Sequence, residues 1–204
     1  MVSGVEQAME LGEFQLVYQS KVAAADGAVC GAEALLRWDH SQFGLLSPAD
    51  FIPVAEQTGA IDRLTLWILD RAIADQLAAR DQGVHLPISV NLSARTLNNH
   101  RVCELAIQKI KRNDADICFE ITETAVITSE SAAVETIAAF RAAGIKISID
   151  DFGAGLSSLS YLKTFEADEL RQVVDRGHRL QRTRSGYCRF DDRTRPQVGN
   201  ECRC

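Results

Sequence analysis

No apolar run in the 204-residue chain approaches the roughly 20 residues that span a bilayer, which argues against a membrane-spanning helix. Residues 1–12 lack a basic stretch followed by an apolar one. No secretory signal is therefore expected, and a cytoplasmic location follows. The paired cysteine spacing of a zinc site is also missing. Cys188, Cys202 and Cys204, with His178, do not have the spacing of a zinc site. The cysteines read instead as free thiols, with Cys30, Cys103 and Cys118 buried or half-buried inside elements. No Gly/Ser-rich linker divides residues 1–170, so they form one domain.

The last stretch is poor in large apolar residues. In residues 171–204 Val173, Val174, Leu180, Phe190 and Val198 are too sparse to supply several strands and their packing. Charge breaks at the same place. Residues 1–170 hold 13 Lys and Arg against 24 acidic residues, while residues 171–204 hold nine Arg against four acidic residues. A basic tail can be a nucleic-acid arm, but Tyr187 and Phe190 are its only aromatics. The expectation is a tail foreign to the domain, disordered, with no nucleic-acid polymer as partner.

What is present is an ordinary globular body, 46% hydrophobic and 25% charged, long enough for a sizeable core. Phe14, Leu16 and Tyr18 alternate with polar or smaller residues, which predicts a strand. Asp26-Gly27 signals a turn into a second strand over 28–36, the two forming an antiparallel hairpin. Ser47-Pro48 reads as a helix cap with proline at the first helical position. Ile61, Leu64, Ile68 and Ala72 keep helical spacing up to Gly83.

A rhythm follows: strand 86–92, helix through Val102, Leu105, Ala106 and Lys109, strand 117–121, helix through Val134, Ile137, Ala138 and Arg141, strand 145–149. A period of about 30 residues is one strand–helix unit and argues for a parallel sheet. Ligands in such folds bind beyond the C-terminal strand ends. That puts Glu33, Asn91, Glu120 and Asp150 on one rim.

These are oxygen donors suited to Mg²⁺ or Mn²⁺, and Asp151 can share or bridge. Two such ions can clamp a phosphodiester and activate water. Taken singly, an acidic residue at a strand end is usually solvated or caps the next helix, and Asn91 can simply cap a turn. Asp150-Asp151-Phe152-Gly153-Ala154-Gly155 is more specific, because adjacent carboxylates repel unless solvated, protonated or neutralised by cations.

The ordered set Glu33-Ala34-Leu35-Leu36-Arg37, Asn91-Leu92-Ser93, Glu120-Ile121-Thr122-Glu123 and Asp150-Asp151-Phe152-Gly153-Ala154-Gly155 closely resembles the EAL domain family. Its members are bacterial cyclic-di-GMP phosphodiesterases. Phe51-Ile52-Pro53-Val54-Ala55-Glu56 and Ser157-Ser158-Leu159-Ser160-Tyr161-Leu162 add to the likeness. The resemblance implies an α/β fold, a TIM-like (β/α)8 barrel with an antiparallel first strand.

It implies Glu33, Asn91, Glu120, Asp150 and Asp151 as ligands of Mg²⁺ or Mn²⁺, with Glu33 and Asp151 at the reacting centre. Gln19, Leu35 and Arg37 would contact cyclic-di-GMP, and Glu123 would support the loop over 152–158. The reaction would be hydrolysis to linear pGpG, and the intact family fold often dimerises. Ser20 stands where the family often has proline, and Leu156 where it often has tyrosine.

The likeness ends near Leu170. After Asp168-Glu169-Leu170 the family continues Lys-Ile-Asp, and that lysine serves the attacking water; here Arg171-Gln172-Val173 follows. Arginine stays protonated and places its charge differently. Later strands with a glutamate and a substrate-binding glutamine are expected to be missing or disrupted. Residues 1–170 then form a partial EAL domain and residues 171–204 a non-homologous tail. A reading frame shifted at Cys188 permits a family-like helix and strand, which points to a frameshift. Turnover is expected to be lost or strongly impaired. The alternative is a non-catalytic module that binds cyclic-di-GMP or another protein.

Overall fold

The computed structural model describes residues 2–23, 26–122, 125, 131–152, 169–172 and 187–188, with the backbone alone at 2–3, 131–132, 150–152, 169–172 and 187–188. The elements are α1 (Val2–Leu11), β1 (Phe14–Val22), β2 (Val29–His40), β3 (Gly44–Leu46), α2 (Pro48–Thr58), α3 (Ala60–Asp81) and β4 (Ile88–Asn91). They continue as α4 (Ala94–Leu97), α5 (His100–Asn113), β5 (Ile117–Thr122), α6 (Ser131–Ala142), β6 (Lys146–Phe152), β7 (Glu169–Gln172) and β8 (Tyr187–Cys188).

One sheet carries all the strands in the order β7-β6-β5-β4-β2-β1-β8, with β3 paired to β2. The hairpin expected from the turn at Asp26-Gly27 is there: β1 runs antiparallel to β2. From β2 onward β4, β5, β6 and β7 are parallel neighbours. This is the antiparallel-first arrangement of an α/β barrel. Among the described residues no pairing joins β7 to β8, and the described strands do not close the barrel. Strand pairing continues past Leu170 to Gln172, and Tyr187–Cys188 pairs with β1. The rest of the 171–204 tail lies outside the described residues.

Alternation decides which residues meet the helices. On β1 and β2 Phe14, Leu16, Tyr18, Ala34, Leu36 and Trp38 are buried, whereas Gln15, Val17, Gln19, Glu33, Leu35 and Arg37 between them are half-exposed. The buried set packs with Leu64, Leu69 and Ala72 of α3, each fully buried. Such a leucine contributes about 1.5–3 kcal/mol by leaving water. Ser47 begins α2 as expected: its backbone N–H donates to Asp50 Oδ2 at 3.0 Å. Gly59 joins α2 to α3 at φ 82°, a left-handed turn that favours glycine.

Both helices expected from the spacing are there as α5 and α6, and the structure decides which face of each is buried. The core side of α5 is Val102, Cys103, Ala106 and Ile110, with Leu105 exposed. On α6 it is Ala133, Thr136, Ile137 and Phe140, while Val134 and Ala138 face outward. In both, neighbouring apolar residues offered two candidate stripes, and docking on the sheet selected one. Cys30 departs from expectation. It is exposed near the start of β2, whereas Cys103 and Cys118 are buried, and all three are free thiols. No helix among the described residues is long and apolar enough to cross a membrane.

One polar contact fastens α3 to the sheet. The buried Tyr18 hydroxyl donates to Asp75 Oδ2 at 2.7 Å, and Arg71 Nε donates to the same oxygen at 3.1 Å. Burial first, and then the Asp75 charge, push the phenol far above its ordinary range, so it remains a donor. Tyr18→Phe is expected to cost about 1–3 kcal/mol in urea unfolding, because it removes a donor to a charged acceptor.

Burial also pushes the Cys103 thiol up to about 12, with the Asp62 carboxylate adding to the effect. The folded form holds that proton where the unfolded thiol, near pKa about 8.5, releases it. The contribution is therefore present below that value and lost as pH rises toward the folded value. Unfolding measured between pH 8 and 10 should show a steeper loss of stability for the wild type than for Cys103→Ala.

Candidate functional site

The inward face of the sheet is built by the residues alternate to the apolar ones. Gln19 and Lys21 come from β1, Glu33, Leu35 and Arg37 from β2, Ser89 and Asn91 from β4, Cys118 and Glu120 from β5, and Ser148 from β6. Glu33 is in register with Ser89, two residues before Asn91; Asn91 is in register with Glu120; Glu120 is in register with Ser148, two residues before Asp150. Steps of two, zero and two residues average near the one-per-strand stagger of an eight-stranded barrel. Because barrel strands tilt, this stagger keeps Glu33, Asn91, Glu120 and Asp150 at similar height. Asn91 and Glu120, one strand–helix repeat apart in sequence, stand in direct register.

Two contacts organise the described side chains. Asn91 Nδ2 donates to Glu33 Oε1 at 3.0 Å, joining the carboxylate of β2 to the amide of β4. Lys21 Nζ donates to Glu120 Oε1 at 3.0 Å and to Ser89 Oγ at 3.0 Å. The Glu120 side chain is fully buried and that of Lys21 is 13% exposed. Strands β4 and β2 lie between β5 and β1 in the sheet. At about 4.8 Å per strand, a flat sheet would hold these two side chains apart. Their contact requires the sheet to curl.

Sequence reasoning named the acidic residues but missed Lys21, Ser89 and Ser148. The signal for Lys21 was its parity with Gln19 on a strand whose other parity is apolar. Gln19 is directly across from Glu33, and Val17 from Leu35. Arg37 is half-buried and donates from Nη1 to the Leu36 carbonyl at 2.8 Å. The Asn-Leu-Ser motif divides its labour: Asn91 faces Glu33, Leu92 is buried, and Ser93 Oγ accepts from the Thr96 amide at 3.1 Å to cap α4. Asp150 and Asp151 fall at the end of β6 and Arg171 in β7, positions described by their backbone alone. Glu123 and Leu156 lie outside the described residues.

The donors suit a hard divalent cation. Glu33, Asn91 and Glu120 offer oxygens and no sulfur or imidazole. The buried Ser148 hydroxyl, in register with Glu120, has no hydrogen-bond partner among the described atoms, as a group facing a hydrated ion would. Among the described residues no three His, Cys, Asp or Glu side chains come together to hold an ion. Asn91 is the neutral member of the described set.

The family model described as EAL domain matches residues 3–173. The chain is 38% identical over 181 residues to the bifunctional diguanylate cyclase/cyclic di-GMP phosphodiesterase MucR of Pseudomonas aeruginosa, covering 87% of this chain and 26% of that protein. It is 35% identical over 167 residues to the cyclic di-GMP phosphodiesterase PA2567 of the same organism, covering 80% and 28%. The chain thus spans little more than a quarter of the length of these two curated relatives. Among solved structures, the PaMucR phosphodiesterase in complex with c-di-GMP superposes with a TM-score of 0.75 at 38% identity, covering 82% of this chain and 70% of that one.

The Glu33–Asn91 contact makes a prediction. Asn91→Asp places two carboxylates in contact, which costs about 1 kcal/mol in water-like surroundings. One carboxyl is then protonated more readily in the folded state, so stability present at low pH is lost as pH rises. Thermal melts of Asn91→Asp should fall between pH 4 and 7 relative to wild type, and Mg²⁺ should recover part of the loss.

Proposed function

The chain belongs to the EAL domain family, and on that premise we propose that it is a cyclic-di-GMP phosphodiesterase domain that recognises its dinucleotide but turns it over poorly. The observation that carries the reading is the inward rim on which Glu33 and Asn91 touch at 3.0 Å and Glu120 stands in register beside them. EAL phosphodiesterases are metal-dependent as a class. In this reading Glu33, Asn91, Glu120, Asp150 and Asp151 would hold Mg²⁺ or Mn²⁺. The bound cations supply a Lewis acid for the phosphate oxygens and an activated water.

The chain's own residues do the rest. Arg37 lies two residues beyond Leu35 and four beyond Glu33 on the same face of β2, and its guanidinium suits a phosphate oxygen pair. Gln19, across from Glu33, offers an amide to a base or ribose. Leu35 supplies an apolar surface between them. Hydrolysis adds water to one phosphorus and breaks its bond to the ribose O3′, opening the ring to pGpG. Arg171 replaces the lysine that would serve that water, and a guanidinium keeps its proton throughout. Recognition therefore outlasts turnover in this reading. A cytoplasmic location and a homodimer fit the same proposal.

Calorimetry with cyclic-di-GMP in Mg²⁺, followed by chromatography for pGpG, tests both halves. Binding is expected, with product near background. Arg37→Ala should weaken binding by about ten- to a hundredfold, the worth of a hydrogen bond to a charged group. Absence of binding refutes the recognition half, and rapid pGpG formation refutes the impairment.

A further inference from the structure

Lys21 belongs to no motif in the chain, yet it makes a close charged contact on the inward face. Its ammonium reaches Glu120 Oε1 at 3.0 Å from a strand that is not a neighbour of β5. Glu120 has a fully buried side chain. A buried carboxylate without a compensating charge is strongly disfavoured, so something on this face must balance it. The Lys21 ammonium does so, steadied by the Ser89 hydroxyl at 3.0 Å. Glu120 is also the residue in register with Asn91, which in turn touches Glu33. The ammonium therefore sits against an oxygen that the rim would offer to a divalent cation.

The geometry points to Lys21 as a resident counter-ion: it holds the charge and position of Glu120 in the metal-free barrel, and an incoming Mg²⁺ or Mn²⁺ displaces it. The inference rests on the metal-binding reading above and names the residue that sets the site's affinity. Lysine suits the task because its charge is compact and rides on a flexible stem, so the ammonium can leave without moving the strand. Lys21 is a positioning residue in this account. It acts through Glu120.

The test uses the full chain and Mn²⁺ as the probe. In calorimetry Lys21→Met should bind Mn²⁺ about tenfold more tightly than wild type, the consequence of removing one competing charge. Its melting temperature should be lower without metal and approach wild type as Mn²⁺ is added. Lys21→Arg, which keeps the charge, should restore the wild-type affinity. In Lys21→Met/Glu120→Gln the affinity gain should vanish, because the buried charge is gone.

The wild type itself supplies a measurement that does not depend on a variant folding. Reductive methylation, mapped to Lys21 by peptide mass, should be slow without Mn²⁺ and several-fold faster with it. Equal Mn²⁺ affinity in wild type and Lys21→Met, with melting temperatures offset by the same amount at every Mn²⁺ concentration, overturns the inference and leaves the metal-binding reading intact. So does a methylation rate indifferent to Mn²⁺. Failure of wild type and variant alike to bind Mn²⁺ overturns both.

Discussion

A strand has two faces, and the architecture of this domain depends on both being filled. On β1, β2, β4, β5 and β6 one parity carries aromatic and branched apolar residues that dock the helices. The other parity carries Gln19, Lys21, Glu33, Arg37, Ser89, Asn91, Glu120 and Ser148. A flat sheet would leave those polar groups in bulk water. Curling the sheet draws them together, takes Glu120 and Ser148 almost wholly out of solvent, and makes each need a partner. For Glu120 that need is met across the interior by Lys21.

The rim grades from wet to dry. Asn91 is exposed and Glu33 half-exposed, so their hydrogen bond lies within reach of a diffusing ligand. Glu120 is enclosed one strand further on, where surrounding dielectric is lower and each charge counts for more. A charged ligand arriving at the open side would meet a neutral amide between two carboxylates, an arrangement that tolerates the absence of a cation better than three adjacent carboxylates would. Enclosure by helices on one side and strands on the other keeps this geometry stiff, since α3 is tied to β1 through Tyr18 and Asp75.

Much of the fold was legible because its signals are local. The turn at Asp26-Gly27, the Ser47-Pro48 start and the break at Gly83 depend on a few neighbouring residues, and the structure places element ends close to each. The strand–helix rhythm likewise survives as parallel pairing from β2 to β7. Helix faces were less legible. On α5 and α6 adjacent apolar residues allow two stripes, and which is buried depends on the angle at which the helix meets the sheet. Leu105, Val134 and Ala138 are outside for that reason. Cys30 is exposed near the turn end of the hairpin.

The candidate rim divides the same way. Residue types, spacing and strand parity by themselves put Glu33, Asn91, Glu120 and Asp150 on the same face at the same end of successive strands, because a period of two and a strand–helix repeat leave little else open. Lys21 had the right parity but nothing in the chain near it names a partner. Glu120 is 99 residues away, and only the closing curvature of the sheet brings the ammonium and the carboxylate within bonding distance. Local order was written in the chain; the pairing of charges across the interior was decided by the tertiary structure, since contact between strands that are not neighbours exists only once the sheet has curled.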